Sequence, residues 1–305
     1  MRLKVLGTDQ PDEWDRLVTA LPHDFYHLAS YHRLAEEAGE GSAQLVVFED
    51  EGRTLLLPVL LRRVAEVPGL ERSSLTDVTS VYGYAGPLFQ SETCQGKTAA
   101  RFRAALNEYF DSLSACCVFS RLHPLLDQTD LLGKLGTVQE VGPTVSIDLD
   151  TAEERQWSDV RRGHKYDLNR LRRAGYVCLH DASLEHLDEF VTLYSATMRR
   201  VGANEYYMFD LRYFRRLFSL EGVRFNLFVT LIEGVVACGG LFSLCGGIVQ
   251  YHLSGTREEF SKAAPTKLML NEVRKWAAAQ GARIFHLGGG VGSREDSLFE
   301  FKSGF

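Results

Sequence analysis

The last twenty residues, HLGGGVGSREDSLFEFKSGF (His286–Phe305), gather glycines, a capping acid and a lysine among aromatics, a set that could stabilise a developing oxyanion. Glycines such as Gly289 let a backbone approach a ligand closely. Asp296, with Ser297 behind it, stands at the right place to cap a short helix over SLFEFK. Such a cap fixes the direction of Lys302. A lysine held among Phe299, Phe301 and Phe305 is partly desolvated, so its charge acts strongly on a nearby oxyanion. The competing reading is a surface lysine whose stem lies over aromatics. The glycines do not make a nucleotide loop. GK[ST] is missing, and Ser293 stands where G-x-G-x-x-G needs its third glycine.

A second cluster, VRRGHKYDLNRLRRAG (Val160–Gly175), sets six cationic side chains against one acid, Asp167. Arg162, Lys165, Asn169 and Arg173 fall along one side of a helix, with Arg170 beside them. In an acidic chain this is either a phosphate clamp or a solvated face. Tyr82 and Tyr84 in SVYGYAGP, and Asn204 and Tyr206 in GANEYYMF, sit beside glycine or turn residues. They can line a ligand cleft or pack at an edge with a wet hydroxyl. G-x-S-x-G and H-E-x-x-H do not occur, and the nine histidines are scattered. No metal is expected, and no general base stands out.

The elements that must position these residues recur twice. The first half reads as a strand (RLKVLG) and two helices (PDEWDRLVTALP, LASYHRLAEEAG). A hairpin turning at Glu51-Gly52 follows, then a strand over SVYGYAGPLF, the helix KTAARFRAALNEYFDSL and the strand CCVFSRLHP. A short helix and TVSIDL close this half. The second half opens with one basic helix over roughly Glu153–Arg173 and the strand YVCLHD. Two helices, three strands, the helix TKLMLNEVRKWAAAQ and the strand RIFHL follow. Strand, two helices, meander, helix, strand thus appears twice. This predicts an α/β chain of two similar domains, residues 1–150 and 151–305.

The 305 residues are 45% apolar, enough for a sizeable core, and carry a net charge of −6. That balance disfavours non-specific coating of nucleic acid, so no DNA partner is expected and any polyanion site is local. The six cysteines, among them Cys94, show no pairing framework or metal spacing, which suits buried thiols in a reducing compartment. The N-terminus has no apolar signal core. The long apolar stretch GVVACGGLFSLCGGIVQYHL is broken by glycines and reads as two strands, not an integral membrane segment. A cytoplasmic protein is expected.

The ending HLGGGVGSREDSLFEFKSGF resembles the signature of the Fem family, bacterial aminoacyltransferases that build peptidoglycan cross-bridges. The basic helix with GYVCLH, LDEFVTLYSATMRR and YHLSGTREEFSKAAPTKLMLNEVRKWA resemble the family's second domain. FYHLASYHRLAEEAG and YGYAGPL resemble its first. The resemblance implies two tandem GNAT-like domains, the first on the acceptor side and the second on the acyl-transfer side. It implies transfer of an amino acid from aminoacyl-tRNA to an amine of a UDP- or lipid-linked muropeptide. The family's Phe-Lys pair falls on Phe301 and Lys302, with Lys302 stabilising charge in the acyl-transfer intermediate. Precursor phosphates would be held by Arg33 and by Arg170 or Arg173, with Lys165 nearby. Tyr251, Gly289 and Asp296 would join the substrate site. Two departures stand out: there is no helical hairpin arm, and the sequence stops at FKSGF, where the family normally continues through further strands.

Acetyl-CoA-dependent N-acetyltransferases carry an Arg/Gln-x-x-Gly-x-Gly/Ala loop before the helix that follows the meander, and its amides hold the pyrophosphate. Here Ala263, Ala264 and Pro265 stand there, and Pro265 removes one donor. Acetyl-CoA is therefore disfavoured as cofactor, while the family resemblance implies aminoacyl-tRNA as co-substrate. Two other readings stay open: an acyl-CoA-dependent N-acyltransferase acting on an envelope glycan or nucleotide sugar, and a non-catalytic muropeptide-binding module.

Overall fold

The computed structural model describes residues 2–89, 96–126, 128–132 and 135–305. Cys94 lies outside them. The chain divides into two compact units, Met1–Glu140 and Val141–Phe305.

The first unit is built on strands β1 (Arg2–Gly7), β2 (Ser42–Asp50), β3 (Arg53–Arg63), β4 (Thr76–Thr79), β5 (Leu88–Phe89) and β6 (Ala115–Val118). Its sheet runs β1-β2-β3-β4-β6, with β5 paired to β3 and β6 parallel to β4. Glu51 and Gly52 both take positive φ, the two-residue turn that matches strand twist, so the β2–β3 hairpin forms where expected. Helices α1 (Pro11–Thr19), α2 (Ala29–Glu37), α3 (Gly96–Ser112) and α4 (Thr129–Leu132) complete it. Phe102 and Leu106 of α3 bury against Phe48, Leu55 and Leu57 of the sheet. The stretch 80–87, expected to be strand, is irregular. Gly83 lies so close to the Tyr26 ring that any side chain there would collide with it.

The second unit carries β7 (Val145–Asp148), β8 (Val177–His180), β9 (Arg224–Ile232), β10 (Val235–Cys245), β11 (Ile248–Thr256) and β12 (Ile284–Gly288). Their order is β7-β12-β11-β10-β9-β8, all antiparallel except β11 and β12. The apolar stretch containing CGG is indeed a hairpin, β10 turning into β11 at Gly246-Gly247. The strand TVSIDL, read with the first half, joins the second sheet as β7, because its partner is β12.

Helices α5 (Glu153–Asp159), α6 (Arg162–Arg173), α7 (Leu187–Arg200), α8 (Leu211–Phe218), α9 (Thr266–Ala279) and α10 (Ser297–Lys302) surround this sheet. The single basic helix expected over 153–173 is two helices. They break at Val160, which is buried, and Arg161, whose amide donates to the carbonyl of Gly304 at 2.9 Å instead of continuing the helix. Phe242, Val249, Phe285 and Leu287 of the sheet pack with Met269, Leu270 and Val273 of α9 and with Phe305. Phe305 is thus a core residue rather than a loose end.

Candidate active site

The parallel pairing of β11 with β12 lasts for three residues, Ile248–Gln250 against Ile284–His286, and then stops. Beyond that point β11 stays with β10 and β12 stays with β7. The two strands therefore part as a fork. At its base, the side chains of the last pair are tied, His286 Nδ1 donating to Gln250 Oε1 at 2.6 Å, both buried.

Lys302 lies across this fork. It is 8% exposed at the end of α10. Its Nζ donates to the carbonyl of Gly289, just past β12, at 2.7 Å, and stands 5.7 Å from the ring centre of Tyr251 on β11. A Cβ at Gly288, where φ is +74°, would sit 3.4 Å from that ammonium, so a bare backbone keeps the lysine's approach open. Burial pulls the Lys302 pKa from 10.5 down to about 8, partly countered by the charge of Asp296. At pH 7 the group is still about nine-tenths protonated. The arrangement is a desolvated cation with one strong hydrogen bond and unused donor capacity, suited to a developing negative charge.

Three devices hold Lys302. Asp296 caps α10, its carboxylate accepting from the amides of Leu298 and Phe299 at 3.0 Å each and from Val291 at 3.0 Å. Those amides hold the Asp296 pKa below its ordinary value. On the other side, His164 Nε2 donates to the carbonyl of Phe301 at 2.8 Å. Arg161 donates to Glu300 Oε2 at 2.9 Å and to Ser303 Oγ at 3.0 Å. Gly304 lies against the His164 ring so closely that a side chain there would collide with it. Desolvation holds the His164 pKa down, so at neutral pH it is a neutral donor. Sequence reasoning missed both His164 and Arg161, since no local pattern joins residues so distant along the chain.

Phe301 precedes Lys302 in α10. Its ring packs on the core beside His164 and Phe305, at 5.7 and 6.0 Å between centres. Tyr251 stacks on Phe242 at 5.3 Å and donates to Ser254 Oγ at 2.6 Å, and burial raises its pKa.

The remaining expected residues have partners of their own. Arg170 is exposed, paired with Asp167 at 3.2 Å and donating to the carbonyl of Ala263 at 3.3 Å. Arg173 donates to its own helix at Asn169. Lys165 donates to Ser158 at 3.0 Å over the Trp157 ring. Asn204 caps a single turn by accepting from the Tyr206 amide, and Tyr206 is exposed beside Tyr207 and Phe209. In the first unit, Arg33 is exposed and donates to the carbonyl of Thr8. Tyr84 meets Tyr26 edge-on at 5.6 Å, and the backbone carbonyl of Tyr82 accepts from the Tyr31 hydroxyl.

Before α9, where a pyrophosphate loop would lie, Glu258–Ala263 form a 3-10 turn and Ala264 takes the left-handed conformation. Helix α6 covers this approach through Arg170 on Ala263 and a 2.6 Å ion pair between Lys267 and Asp167. No group of three or more metal-ligating side chains occurs among the described residues.

Residues 158–303 match the family model described as an acetyltransferase (GNAT) domain. No curated protein matches the sequence significantly. Among solved structures, FemX aligns with 99% of this chain and 93% of its own at a TM-score of 0.73 and 14% identity. L-PGS from Bacillus licheniformis aligns with 92% of this chain and 76% of its own, at 0.55 and 13%. A tandem GNAT protein from the clavulanic acid biosynthesis pathway covers 100% and 95%, at 0.52 and 13%. The doubled element order, the forked sheet of the second unit and these likenesses agree: the chain has the tandem GNAT fold of the Fem type, with a GNAT domain in its second half.

Proposed function

We propose that the chain is an acyltransferase that moves an amino acid from aminoacyl-tRNA to an amine of a peptidoglycan precursor. The observation that carries this reading is Lys302, buried across the β11–β12 fork between the Gly289 carbonyl and the Tyr251 ring. In the reaction, the acceptor nitrogen attacks the ester carbonyl carbon. A C–N bond forms, the bond to the ribose oxygen breaks, and that oxygen leaves as a hydroxyl after taking up a proton. The ammonium of Lys302 stabilises the intervening oxyanion, and most of the remaining rate comes from holding the two substrates together. The amine's proton leaves through water or a substrate phosphate.

An acyl-CoA-dependent reaction is the second reading, favoured by the GNAT domain match. The Ala263-Ala264-Pro265 approach, covered by α6, weighs against it. Paired single-turnover assays separate the two. One supplies a mixed charged-tRNA pool and the other acetyl-CoA, both with UDP-MurNAc-pentapeptide, and product mass is read by mass spectrometry. An added amino-acid mass supports the proposal. An added acetyl mass replaces it with the second reading. No added mass with either donor, from folded protein, defeats both for this acceptor.

A further inference from the structure

Residues 199–216 leave the sheet of the second unit as the end of α7, a single turn and α8. Five arginines lie in this stretch (Arg199, Arg200, Arg212, Arg215, Arg216), all exposed, against two acids, Glu205 and Asp210. Asp210 is occupied in capping α8, its carboxylate accepting from the amide of Tyr213 at 2.8 Å. Arg215 also pairs with Asp188 of α7 at 3.7 Å and Arg200 donates to the carbonyl of Thr256 at 3.2 Å, which leaves a net positive local charge in a chain whose net charge is −6. Arg212, Arg215 and Arg216 border an open depression of about 450 Å³ with Asp210 and Leu211. Exposed apolar side chains lie between the two groups of arginines along the chain. Val201 is 63% exposed, Tyr206 43% and Met208 37%. Helix α8 anchors the segment from beneath, Phe214 and Leu217 being fully buried while its arginines face outward.

We infer that this face docks on an anionic lipid bilayer, with the arginines on headgroup phosphates and Val201, Met208 and Tyr206 at the acyl boundary. Positive charge alone would suit any polyanion. The apolar side chains decide between partners. Valine and methionine have no flat face on which a base can stack, so they gain little from single-stranded RNA, whereas both gain from leaving water for hydrocarbon. Tyrosine is at home at a membrane interface, with its ring in the apolar layer and its hydroxyl among headgroups. The apolar face of α8 is buried in the protein, so the helix supplies the charge and the exposed turn before it supplies the apolar contact. The inference does not depend on the acyl-transfer reading.

The test is co-sedimentation of the full chain with vesicles of phosphatidylcholine alone, and of phosphatidylcholine with phosphatidylglycerol. Retention on the anionic vesicles, release by high salt and little retention on the neutral ones is the expected result. The triple variant Arg212→Gln, Arg215→Gln, Arg216→Gln should partition on the order of 100-fold less, at about fivefold per charge. The double variant Val201→Ser, Met208→Ser should lose roughly tenfold. All five positions are exposed, and circular dichroism with a thermal melt checks that the variants fold. Equal retention on both vesicle types, or none on either, overturns the proposal, and that comparison needs no variant. Tight binding of a single-stranded RNA oligonucleotide that ignores Val201→Ser, Met208→Ser, without vesicle retention, reassigns the face to RNA and also overturns it.

Discussion

Replacing Lys302 by methionine keeps the length of the side chain and deletes its charge. A charge-stabilising role and a structural role then predict opposite things. The drop of the Lys302 pKa from 10.5 to about 8 means that the folded protein holds the cation at a cost of about 3 kcal/mol, net of its hydrogen bond to the Gly289 carbonyl. Methionine removes that cost and adds apolar burial beside Tyr251, but leaves the carbonyl without its donor. Lys302→Met should therefore unfold in urea within about 1–2 kcal/mol of the parent, or be more stable. Turnover should fall about 10²–10³-fold, the usual loss for one preorganised donor to an oxyanion. Equilibrium urea unfolding and single-turnover aminoacyl transfer on the same preparation measure both quantities. Near-parent turnover refutes the electrostatic role. Loss of activity together with several kcal/mol of stability refutes the claim that the charge is held for catalysis rather than for the fold.

Four further expectations follow from the same geometry. Because burial lowers the Lys302 pKa to about 8, turnover should decline tenfold per pH unit above about 8, not above the ordinary lysine range, in a pH–rate profile. Asp296→Ala should lower turnover by loosening the α10 cap, with Asp296→Asn restoring much of it and the global melting temperature little changed. Gly304→Ala should cost about 1–3 kcal/mol in urea unfolding, since a methyl there collides with His164. In the first unit, burial depresses the pKa of His27 to about 3 and of His32 to about 4. An unfolded histidine takes up its proton near 6.5, so this stability is complete above about pH 6.5 and is lost as pH falls toward about 4 for His32 and about 3 for His27. The slope is about 1.4 kcal/mol per pH unit for each histidine, and pH-dependent unfolding reads it directly.

What could be read from the chain alone was what local pattern encodes. The Glu51-Gly52 hairpin, the amphipathic face of α3 and the Asp296 cap each rest on residues within a few positions of one another. The fold class followed from the element order, which is again local. Lys302 stood out because a cap and three phenylalanines lie within ten residues of it. The clamp on Lys302 was invisible, because Arg161 and His164 meet Glu300 and Phe301 only after the chain has folded. For the same reason the break at Val160-Arg161 carried no signal: no glycine or proline marks it, and its cause is the Gly304 carbonyl. The strand at 145–148 was grouped with the residues before it, since nothing near it in sequence names its partner in β12. Expected phosphate ligands on α6 proved to be engaged with neighbouring backbone and acids, a fate that a charge count does not foresee.

The long-range pairing of β7 also sets an order of assembly. Asp148 must wait for Ile284 to be made before the second sheet can close, and Arg161 must wait for Glu300. During synthesis, the first unit can complete its own sheet from residues 2–118 while β12 and α10 are still inside or not yet on the ribosome. The second unit meanwhile exposes the apolar edge of β11 that β12 will cover, at Ile248 and Val249. Closure of such distant strands is slow. A chain cut short before Ile284 would therefore leave the β11 edge at Ile248 and Val249 without its partner strand.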